Sequence, residues 1–320
     1  MIKILELFGG IGAPRKALIN LGVNHKSIDY VEIDERRVRV YNAMYDNRYQ
    51  AESVVGYNLK PDILIHGSPC QDFSRARLRW GARDGGEGEQ SSLLFQTVKI
   101  IENMGLWRPR VVIWENVKGV LDQDMIGAFN DYIESLEELG YKTSFAVLNA
   151  MDFGVPQARE RVFAISRIDG KKFDFNRLER KDRVDIKELL EESVTEEKYY
   201  INIPSMTSKI HEFNPEGNEG YNRMLSVIET HCWTITERQD RCPNAGIIKE
   251  GPKRYRYLTE REVWRLMGFD DSDFEAALTE FPGRKGFRNA TLYAMAGNSI
   301  VVNVLEAIFK VLLEDMPIEI

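Results

Sequence analysis

The fold that we expect for this chain is decided by residues 2–12, which read IKILELFGGIG. The apolar run up to Phe8 is typical of a short buried strand, and the glycines after it allow the main chain to approach a ligand closely. Residues 13–18 predict a helix with a proline near its start, and Gly22 is expected to end it. A strand, a glycine-rich turn and a helix in this order form the first unit of a doubly wound α/β protein, in which ligands bind beyond the carboxyl ends of the strands.

The same alternation continues to about residue 170. Strand-like segments recur at residues 28–33, 62–65, 111–115, 141–148 and 162–166. Helical spacing of apolar residues follows Ser91 and recurs between Phe129 and Leu139, before Gly140. We therefore predict an α/β fold with a doubly wound, mostly parallel sheet.

The pattern changes after residue 170. Residues 171–198 are densely charged and predict one helix around residues 186–190, and residues 199–256 are broken by glycine, proline and asparagine. A short strand is expected at residues 233–236, and an amphipathic helix follows Ile300. The chain is thus expected to leave the first domain and return to it. We expect a catalytic domain at residues 1–172 plus 293–320 and a smaller, irregular domain with a hinge at residues 173–292.

Composition excludes several classes of protein. The 320 residues are 43% hydrophobic and 29% charged, which supports a sizeable core and argues against disorder. No apolar run approaches the roughly 18 residues of a membrane helix, and Glu6 interrupts the stretch where a signal peptide would be apolar, so we expect a cytoplasmic protein without a membrane partner. Three cysteines without a Cys-x-x-Cys pair argue against disulfides and structural zinc, and no metal site is expected.

Net charge argues against a nucleic-acid partner, whereas local charge favours one. The formal charge is −7, yet residues 238–261 hold seven basic and three acidic side chains, with Tyr255 and Tyr257 among them. Arg75, Arg77 and Arg79 form a second basic stretch. Binding a polyanion requires a local basic surface rather than a basic total, and aromatic side chains provide stacking surfaces.

The glycine-rich turn departs from the dinucleotide fingerprint. After Gly10 and Gly12, the third glycine position is Arg15. Glu32 ends the second predicted strand, where it could accept hydrogen bonds from a ribose diol. These residues disfavour a nicotinamide-dependent oxidoreductase and leave a nucleoside-like cofactor open.

Two side chains at predicted strand ends carry chemistry. Cys70 follows Pro69 beyond the third strand, close to arginines that would favour its thiolate. Glu115 ends the apolar fourth strand, where partial desolvation would raise its pKa and let it act as an acid. On these residues alone, a small buried cysteine and a solvated glutamate remain the alternatives.

Six sequence blocks together point to one family. They read FGGIG (8–12), GSPCQDFS (67–74), ENV (115–117), QARER (157–161), RYLTERE (256–262) and GNS (297–299). In this order they resemble the DNA (cytosine-5) methyltransferases of the compact bacterial and phage type. The stretch between Arg161 and Arg256 has no match, and in this family that stretch is the variable target-recognition region.

The resemblance implies a covalent mechanism. Cys70 would attack carbon 6 of a cytosine, which makes carbon 5 electron-rich. Glu115 would hold or protonate ring N3, Arg161 would bind the ring O2, and Arg159 would support the same pocket. The methyl group would come from S-adenosyl-L-methionine, leaving S-adenosyl-L-homocysteine.

The resemblance also implies the ligand-binding residues. The cofactor would contact Phe8, Gly10, Ile11, Gly12, Glu32, Ile33, Glu52, Ser53, Pro69, Asn298 and Ser299. The DNA would contact Gln71, Ser74, Arg75, Arg77, Arg79, Thr234, Thr236, Arg238 and Arg256. Ile33 departs from the aromatic residue that family members often have there, which puts adenine stacking in doubt.

The expected partner is double-stranded DNA, from which the target base must leave the stack. The loop at residues 71–90 is expected to be mobile without DNA and to close over the flipped base. We expect a monomer that belongs to a restriction-modification or phage anti-restriction system, with a cognate restriction endonuclease as a possible but not required partner. The alternatives are a transfer-RNA cytosine-5 methyltransferase, which typically has a second proline in the GSPC tetrad, and a DNA-binding regulator on an inactive scaffold.

Overall fold

The computed structural model describes residues 1–55, 60–67, 93–210 and 225–316. Its main sheet has six strands: β1 (Ile2–Leu7), β2 (His25–Val31), β3 (Ile63–His66), β4 (Val111–Val117), β5 (Lys142–Asn149) and β7 (Glu160–Arg167). Their order is β2-β1-β3-β4-β7-β5. β1 pairs in parallel with β2 and β3, and β3 with β4, whereas β7 is antiparallel to both β4 and β5. The predicted α/β fold with a mostly parallel sheet is therefore confirmed.

Helices cover both faces of this sheet. The helices of the described residues are α1 (Ala13–Asn20), α2 (Glu35–Tyr45), α3 (Leu93–Asn103), α4 (Ile126–Glu138), α5 (Pro204–Thr207), α6 (Glu260–Arg265), α7 (Asp271–Glu280), α8 (Ala290–Gly297) and α9 (Val302–Asp315). α5 packs with a separate small apolar cluster instead of on the sheet. α1 and α9 pack in one core cluster with alternate strand residues such as Ile4. α3 and α4 pack in a second cluster with the intervening strand residues, such as Leu5. Because successive strand side chains point to opposite faces, both faces are apolar and the strands are buried.

The helix predicted around residues 186–190 is a short 3-10 helix at Ile186–Leu189. Two more short 3-10 helices lie nearby, at Phe175–Arg177 and Glu197–Tyr199. The Asp174 and Asp185 side chains accept hydrogen bonds from main-chain N–H groups two residues later. Such local bonds offer the main chain an alternative to a regular α-helix, which explains why these helices stay short.

The region before α6 has little regular structure. β8 (Cys232–Trp233) pairs in parallel with β6 (Gln157–Ala158), and β9 (Ile248–Gly251) forms an antiparallel hairpin with β10 (Arg254–Arg256). The strand predicted at residues 233–236 therefore extends only to Trp233.

The core clusters distinguish two parts of the smaller domain. Ile201, Ile210, Ile247, Tyr255 and Tyr257 form a small cluster of their own. By contrast, the buried apolar residues of α6 and α7 belong to the same cluster as α1 and α9, on one face of the main sheet. The division at residues 172 and 293 stays a prediction.

The segment Ala290–Asp315 would be long and apolar enough to cross a membrane. However, 67% of its most apolar window is buried inside the protein. Its side chains are therefore explained by packing within the core, where α9 lies against α1.

Candidate active site

The glycine-rich turn after β1 has an unusual backbone. Phe8, Gly10 and Gly12 all have positive φ angles, of 54°, 56° and 76°. The Gly12 N–H donates to the Gly9 carbonyl at 2.9 Å, which closes the turn just before α1. Space is open beside Gly10, where an added Cβ would meet no atom within 4 Å. The turn thus has open space beside the main chain of Gly10, and the binding of a ligand there stays a prediction.

Glu32 supports the turn from the end of the neighbouring strand. Its side chain is only 4% exposed, and its carboxylate accepts the Gly10 N–H at 3.0 Å and the Asp34 N–H at 3.0 Å. The Glu52 N–H donates to the Glu32 carbonyl, which brings Glu52 beside it, and Ile33 is 73% exposed. Ser53 is exposed and its hydroxyl accepts the Val55 N–H. These four predicted cofactor residues are therefore neighbours, and their contacts with a cofactor stay a prediction.

Glu115 and Arg161 form an ion pair at the end of β4. Arg161 Nε lies 3.3 Å from Glu115 Oε1, and the two side chains are 16% and 12% exposed. Burial raises the pKa of Glu115, while the charges of Arg161 and Arg159 oppose that shift. A carboxyl that holds its proton more readily than usual can act as a general acid near neutral pH.

One cavity joins the turn to Glu115. Its described lining includes Phe8, Gly10 and Ile11 from the turn, Glu115 from β4, and the segment 298–300 that follows α8. The structure therefore brings together five predicted cofactor residues (Phe8, Gly10, Ile11, Asn298, Ser299) and one predicted catalytic residue. A donor of a small group held along the turn would lie next to the Glu115 carboxyl.

Arg159 joins three segments of the chain, one of which lines this cavity. Its guanidinium donates to the carbonyls of Ile235 (2.9 Å), Gly297 (3.1 Å) and Ser299 (2.8 Å). Burial and the nearby charge of Arg161 lower the pKa of Arg159 to about 9, so it stays charged at neutral pH. Gly297 has no room for a side chain, because a Cβ there would overlap main-chain atoms of Thr236 and Glu237. That Arg159 supports the pocket for the base stays a prediction. In the structure its guanidinium holds the main chain at Ile235, Gly297 and Ser299 in place.

The predicted nucleophile lies outside the described residues, as do several DNA and cofactor candidates. They are Pro69, Cys70, Gln71, Ser74, Arg75, Arg77 and Arg79, together with the rest of the loop at residues 71–90. The last described residue before them is Gly67, where a Cβ would lie 3.6 Å from the Glu115 carboxylate. The chain that leads to Cys70 therefore starts beside Glu115.

A cleft of about 610 Å³ opens in the recognition region, which we define as residues 199–256. Thr234 and Thr236 line it together with Trp233, Arg241 and Lys209. The Thr234 hydroxyl donates to the Ala158 carbonyl at 2.9 Å, so that this threonine is anchored to β6. The Thr236 hydroxyl is buried and has no hydrogen-bond partner in the described chain. Both remain candidates for DNA contacts.

The predicted DNA contact of Arg256 is wrong. Its side chain is 2% exposed, and its guanidinium bonds Glu262 at 2.8 and 2.9 Å and Glu250 at 2.6 Å. These carboxylates raise the pKa of Arg256 against the effect of burial. The guanidinium of Arg256 is thus held in a buried ion-pair network, where it cannot reach a phosphate. Arg238, by contrast, is exposed, with its Nε 3.5 Å from Glu237, and stays a candidate.

Two buried polar side chains at the cavity were not among the candidates from the sequence. Glu6 and His66 both line the cavity and are each 1% exposed. His66 Nε2 lies 2.8 Å from the Tyr132 hydroxyl, and burial lowers the pKa of the imidazole to about 3, so it is neutral. The available signal was a polar residue near the carboxyl end of each of two mostly apolar strands, β1 and β3, where ligands bind in such sheets.

Comparison with known proteins identifies the family. The family model described as C-5 cytosine-specific DNA methylase matches residues 2–314. The type II methyltransferase M2.ScrFI of Lactococcus lactis subsp. cremoris is 27% identical, over 97% of this chain and 98% of that protein. The orphan methyltransferase M.SPRI of Bacillus phage SPR is 28% identical, over 98% of this chain and 97% of that protein.

Solved structures agree on the fold. The S. pombe Dnmt2 methyltransferase superposes with a TM-score of 0.77 at 17% identity, over 99% of this chain and all of that one. A putative DNA modification methyltransferase from an Escherichia coli prophage gives a TM-score of 0.68 at 18% identity, over 98% and 99% of the two chains. The match to the family model across nearly the whole chain confirms the resemblance carried by the six sequence blocks. The chain belongs to the C-5 cytosine-specific DNA methylase family, and the reaction of this enzyme is therefore methylation of DNA at carbon 5 of cytosine.

Proposed function

We propose that this enzyme methylates a cytosine flipped out of duplex DNA, with Cys70 as nucleophile, Glu115 as acid and S-adenosyl-L-methionine as methyl donor. The observation that supports this most is the shared cavity, which Phe8, Gly10, Asn298 and Glu115 line together. A methyl donor along the turn and a base at Glu115 would then be adjacent. Holding reactants in such an arrangement replaces a bimolecular encounter by a nearly unimolecular step.

The proposed chemistry uses the carboxyl, the guanidinium and the thiolate in separate tasks. The Cys70 thiolate forms a bond to carbon 6, and the electron pair of the 5,6 double bond becomes available at carbon 5. Glu115 donates its proton to ring N3, and the Arg161 guanidinium takes the O2. After carbon 5 has gained a methyl group, a water molecule takes the proton of carbon 5, and the electron pair of that C–H bond re-forms the 5,6 double bond. The sulfur–carbon bond breaks with its electron pair on sulfur, and the proton on N3 returns to Glu115. Cys70 ends as a thiolate, so that the enzyme is regenerated.

The residues of the turn fit the proposed cofactor. Space is open beside Gly10, and Glu32 lies at the adjoining strand end where a ribose would be held. The cofactor supplies an electrophilic methyl group when bound. The protein's own contribution is to orient it: the turn provides main-chain contacts, and Asn298 and Ser299 close the opposite side of the cavity.

The same proposal covers the partners of the enzyme. Duplex DNA would lie across the recognition cleft, where Trp233 is 53% exposed and the cations Lys209 and Arg241 line the wall. We further infer a monomer that acts in the cytoplasm. The relatives named above include both a type II and an orphan methyltransferase, so a cognate restriction endonuclease is compatible with this function and not required for it.

Transfer of labelled methyl groups tests the proposal. The wild-type protein is incubated with methyl-labelled S-adenosylmethionine and either duplex DNA or transfer RNA, and the hydrolysed nucleosides are separated. We expect 5-methylcytosine in DNA. Label in RNA alone would favour the transfer-RNA alternative, and binding of DNA without label in either would favour the non-catalytic regulator.

Cys70→Ser tests the nucleophile. We expect turnover to fall by roughly three orders of magnitude or more, because a hydroxyl is a far weaker nucleophile than a thiolate, with cofactor binding unchanged. Duplex DNA carrying 5-fluorocytosine gives a second readout: carbon 5 cannot release fluorine as a cation, so the wild type should form a complex that survives denaturation. Cys242→Ser changes an exposed cysteine that lines the recognition cleft and is the matched control: at saturating DNA it should keep both turnover and formation of the trapped complex. Substantial turnover by Cys70→Ser would refute the covalent mechanism.

A further inference from the structure

Four tyrosines lie directly behind the glycine-rich turn. Tyr30 is in β2, Tyr41 and Tyr45 are on one face of α2, and Tyr49 follows that helix. We call them the tyrosine cluster. Tyr30 and Tyr41 stack with ring centroids 3.8 Å apart, Tyr41 and Tyr45 meet edge to face at 4.7 Å, and Tyr49 lies 5.8 Å from Tyr30. The cluster is a rigid block of aromatic rings rather than a set of separate side chains.

Two hydroxyls of this cluster bind the turn itself. The Tyr30 hydroxyl donates to the Gly10 carbonyl at 2.5 Å, and the Tyr45 hydroxyl donates to the Gly12 carbonyl at 2.9 Å. The Tyr41 hydroxyl instead donates to Glu6, and the Tyr49 hydroxyl donates to the Ser27 carbonyl in β2. Only Tyr30 and Tyr45 thus have hydroxyls directed at the turn among these four residues.

The rings also occupy the space on the inner side of the turn. A Cβ on Gly12 would lie 2.6 Å from both the Tyr41 and the Tyr45 rings. On the outer side, beside Gly10, nothing lies within 4 Å. The turn is therefore packed against aromatic rings from behind and left open in front.

The turn needs this external support. Three of its five residues have positive φ angles, and Phe8 is among them although a side chain disfavours that conformation. Tyr30 and Tyr41 beside the turn are 1% and 0% exposed. The Gly10 carbonyl accepts the Tyr30 hydroxyl, and the Gly12 carbonyl accepts the Tyr45 hydroxyl as well as the Lys16 N–H of α1. The tyrosine hydroxyls thus hold both carbonyls by hydrogen bonds from outside the turn.

We propose that Tyr30 and Tyr45 are positioning residues for S-adenosyl-L-methionine: their hydroxyls fix the carbonyls of Gly10 and Gly12, and so keep the turn in the conformation that receives the cofactor. The inference rests on the proposed function, in which this turn binds that cofactor. Neither tyrosine touches the cofactor in this scheme. Their effect is to reduce the conformational freedom that binding would otherwise have to remove.

Tyr30→Phe and Tyr45→Phe test the inference, with Tyr49→Phe as the matched control. All three remove one hydroxyl from the same cluster, and only the first two remove a hydrogen bond to a carbonyl of the turn. We expect each of the first two to raise the dissociation constant of S-adenosylmethionine about 3- to 10-fold, measured by calorimetry on the full chain, consistent with the loss of one hydrogen bond. The KM for the cofactor should rise by the same factor, the KM for duplex DNA should stay constant, and Tyr49→Phe should change neither.

The melting temperature separates positioning from general stability. Tyr49→Phe should lower it about as much as the other two variants do, because each loses a comparable buried hydrogen bond. Two results would overturn the inference: wild-type affinity for S-adenosylmethionine in all three variants, or the same loss of affinity in all three. If Tyr30→Phe does not fold, Tyr45→Phe decides alone. Failure of the wild type to bind S-adenosylmethionine would instead contradict the proposed function, so the two failures are distinguishable.

Discussion

The main chain of the glycine-rich turn and the side chains of the recognition region differ in whether their polar groups have partners within the protein. At the turn, the Gly10 N–H and the Gly10 and Gly12 carbonyls each have a partner within the protein. In the recognition region, the Thr236 hydroxyl and the Gln239 side-chain NH2 are buried without partners in the described chain. One region is already organised for a ligand that does not vary, and the other retains hydrogen-bonding capacity for a polymer whose sequence must be read.

The first way to sharpen this contrast is Glu115→Gln. Glutamine keeps the size of the side chain but cannot donate an acidic proton to N3, so we expect kcat to fall about 10²- to 10⁴-fold. Because phosphate contacts supply most of the affinity for duplex DNA, and glutamine can still hydrogen-bond the base, that affinity should stay within a few-fold of wild type. Methyl transfer and DNA-binding titrations measure the two effects.

Glu160→Gln is the matched control for this change. Glu160 is the first residue of β7, next to Arg161, but its side chain is half exposed and pairs with Lys118. It should keep both kcat and DNA affinity. Normal turnover with weak DNA binding in Glu115→Gln would mean that Glu115 serves DNA binding rather than proton transfer.

The second test concerns Arg256, which lies in the recognition region by sequence and in the core by structure. Removing one partner of a buried ion pair leaves the others uncompensated, and Arg256→Ala should destabilise the fold by about 3–5 kcal/mol. Denaturant unfolding followed by circular dichroism measures the loss. The slope of DNA affinity against salt should be that of wild type, because no phosphate contact is removed.

Arg238→Ala is the counterpart in the same region. Its exposed side chain should leave the free energy of unfolding within about 0.5 kcal/mol of wild type. If Arg238 contacts a phosphate, the salt slope falls by about 1. If Arg256→Ala is as stable as wild type and its DNA affinity depends less steeply on salt, then Arg256 contacts DNA as the sequence predicted.

Arg256 also illustrates what the sequence can and cannot disclose. The two basic stretches are visible as composition, but the partners of Arg256 are set by the turn at residues 257–259, which returns the chain so that Glu262 at the start of α6 faces β10. The Thr259–Glu262 capping box that fixes this turn is readable from the sequence, yet its proximity to Arg256 in space is not. Local motifs were therefore a poor guide to which charges remain free.

The catalytic side was more predictable, because its residues follow strand ends. Parallel strands deliver their carboxyl ends to one edge of the sheet, so Phe8 after β1, Glu32 after β2 and Glu115 within β4 converge without knowledge of any loop. Glu6 and the tyrosine cluster escaped this reasoning. They lie behind the turn, where their role depends on packing between β1, β2 and α2 rather than on a motif.

The third test has the smallest expected effect and measures whether the Glu6 carboxyl behind the turn is shielded from water. Glu6 is 1% exposed, its Oε1 accepts the Tyr41 hydroxyl at 2.6 Å, and its Oε2 has no partner in the described chain. Burial raises the pKa of Glu6 from 4.5 to about 7, although the hydrogen bond from Tyr41 and the charge of Arg15 oppose the shift. The folded state therefore holds a proton that the unfolded chain has already released.

The sign of the pH dependence follows from this difference. A raised pKa in the folded state contributes stability that is present in full below pH 4.5 and is lost as the pH rises towards 7. The loss is about 3 kcal/mol for a shift of this size. Glu6→Gln cannot ionise and keeps an oxygen for Tyr41, so its free energy of unfolding relative to wild type should rise by that amount between pH 5 and pH 8. Denaturant titrations across this range measure it, with Glu188→Gln at an exposed position as the control for a general change in charge. A difference that stays flat with pH would mean that Glu6 is ionised beneath the turn, and the cofactor side would then be better solvated than its packing indicates.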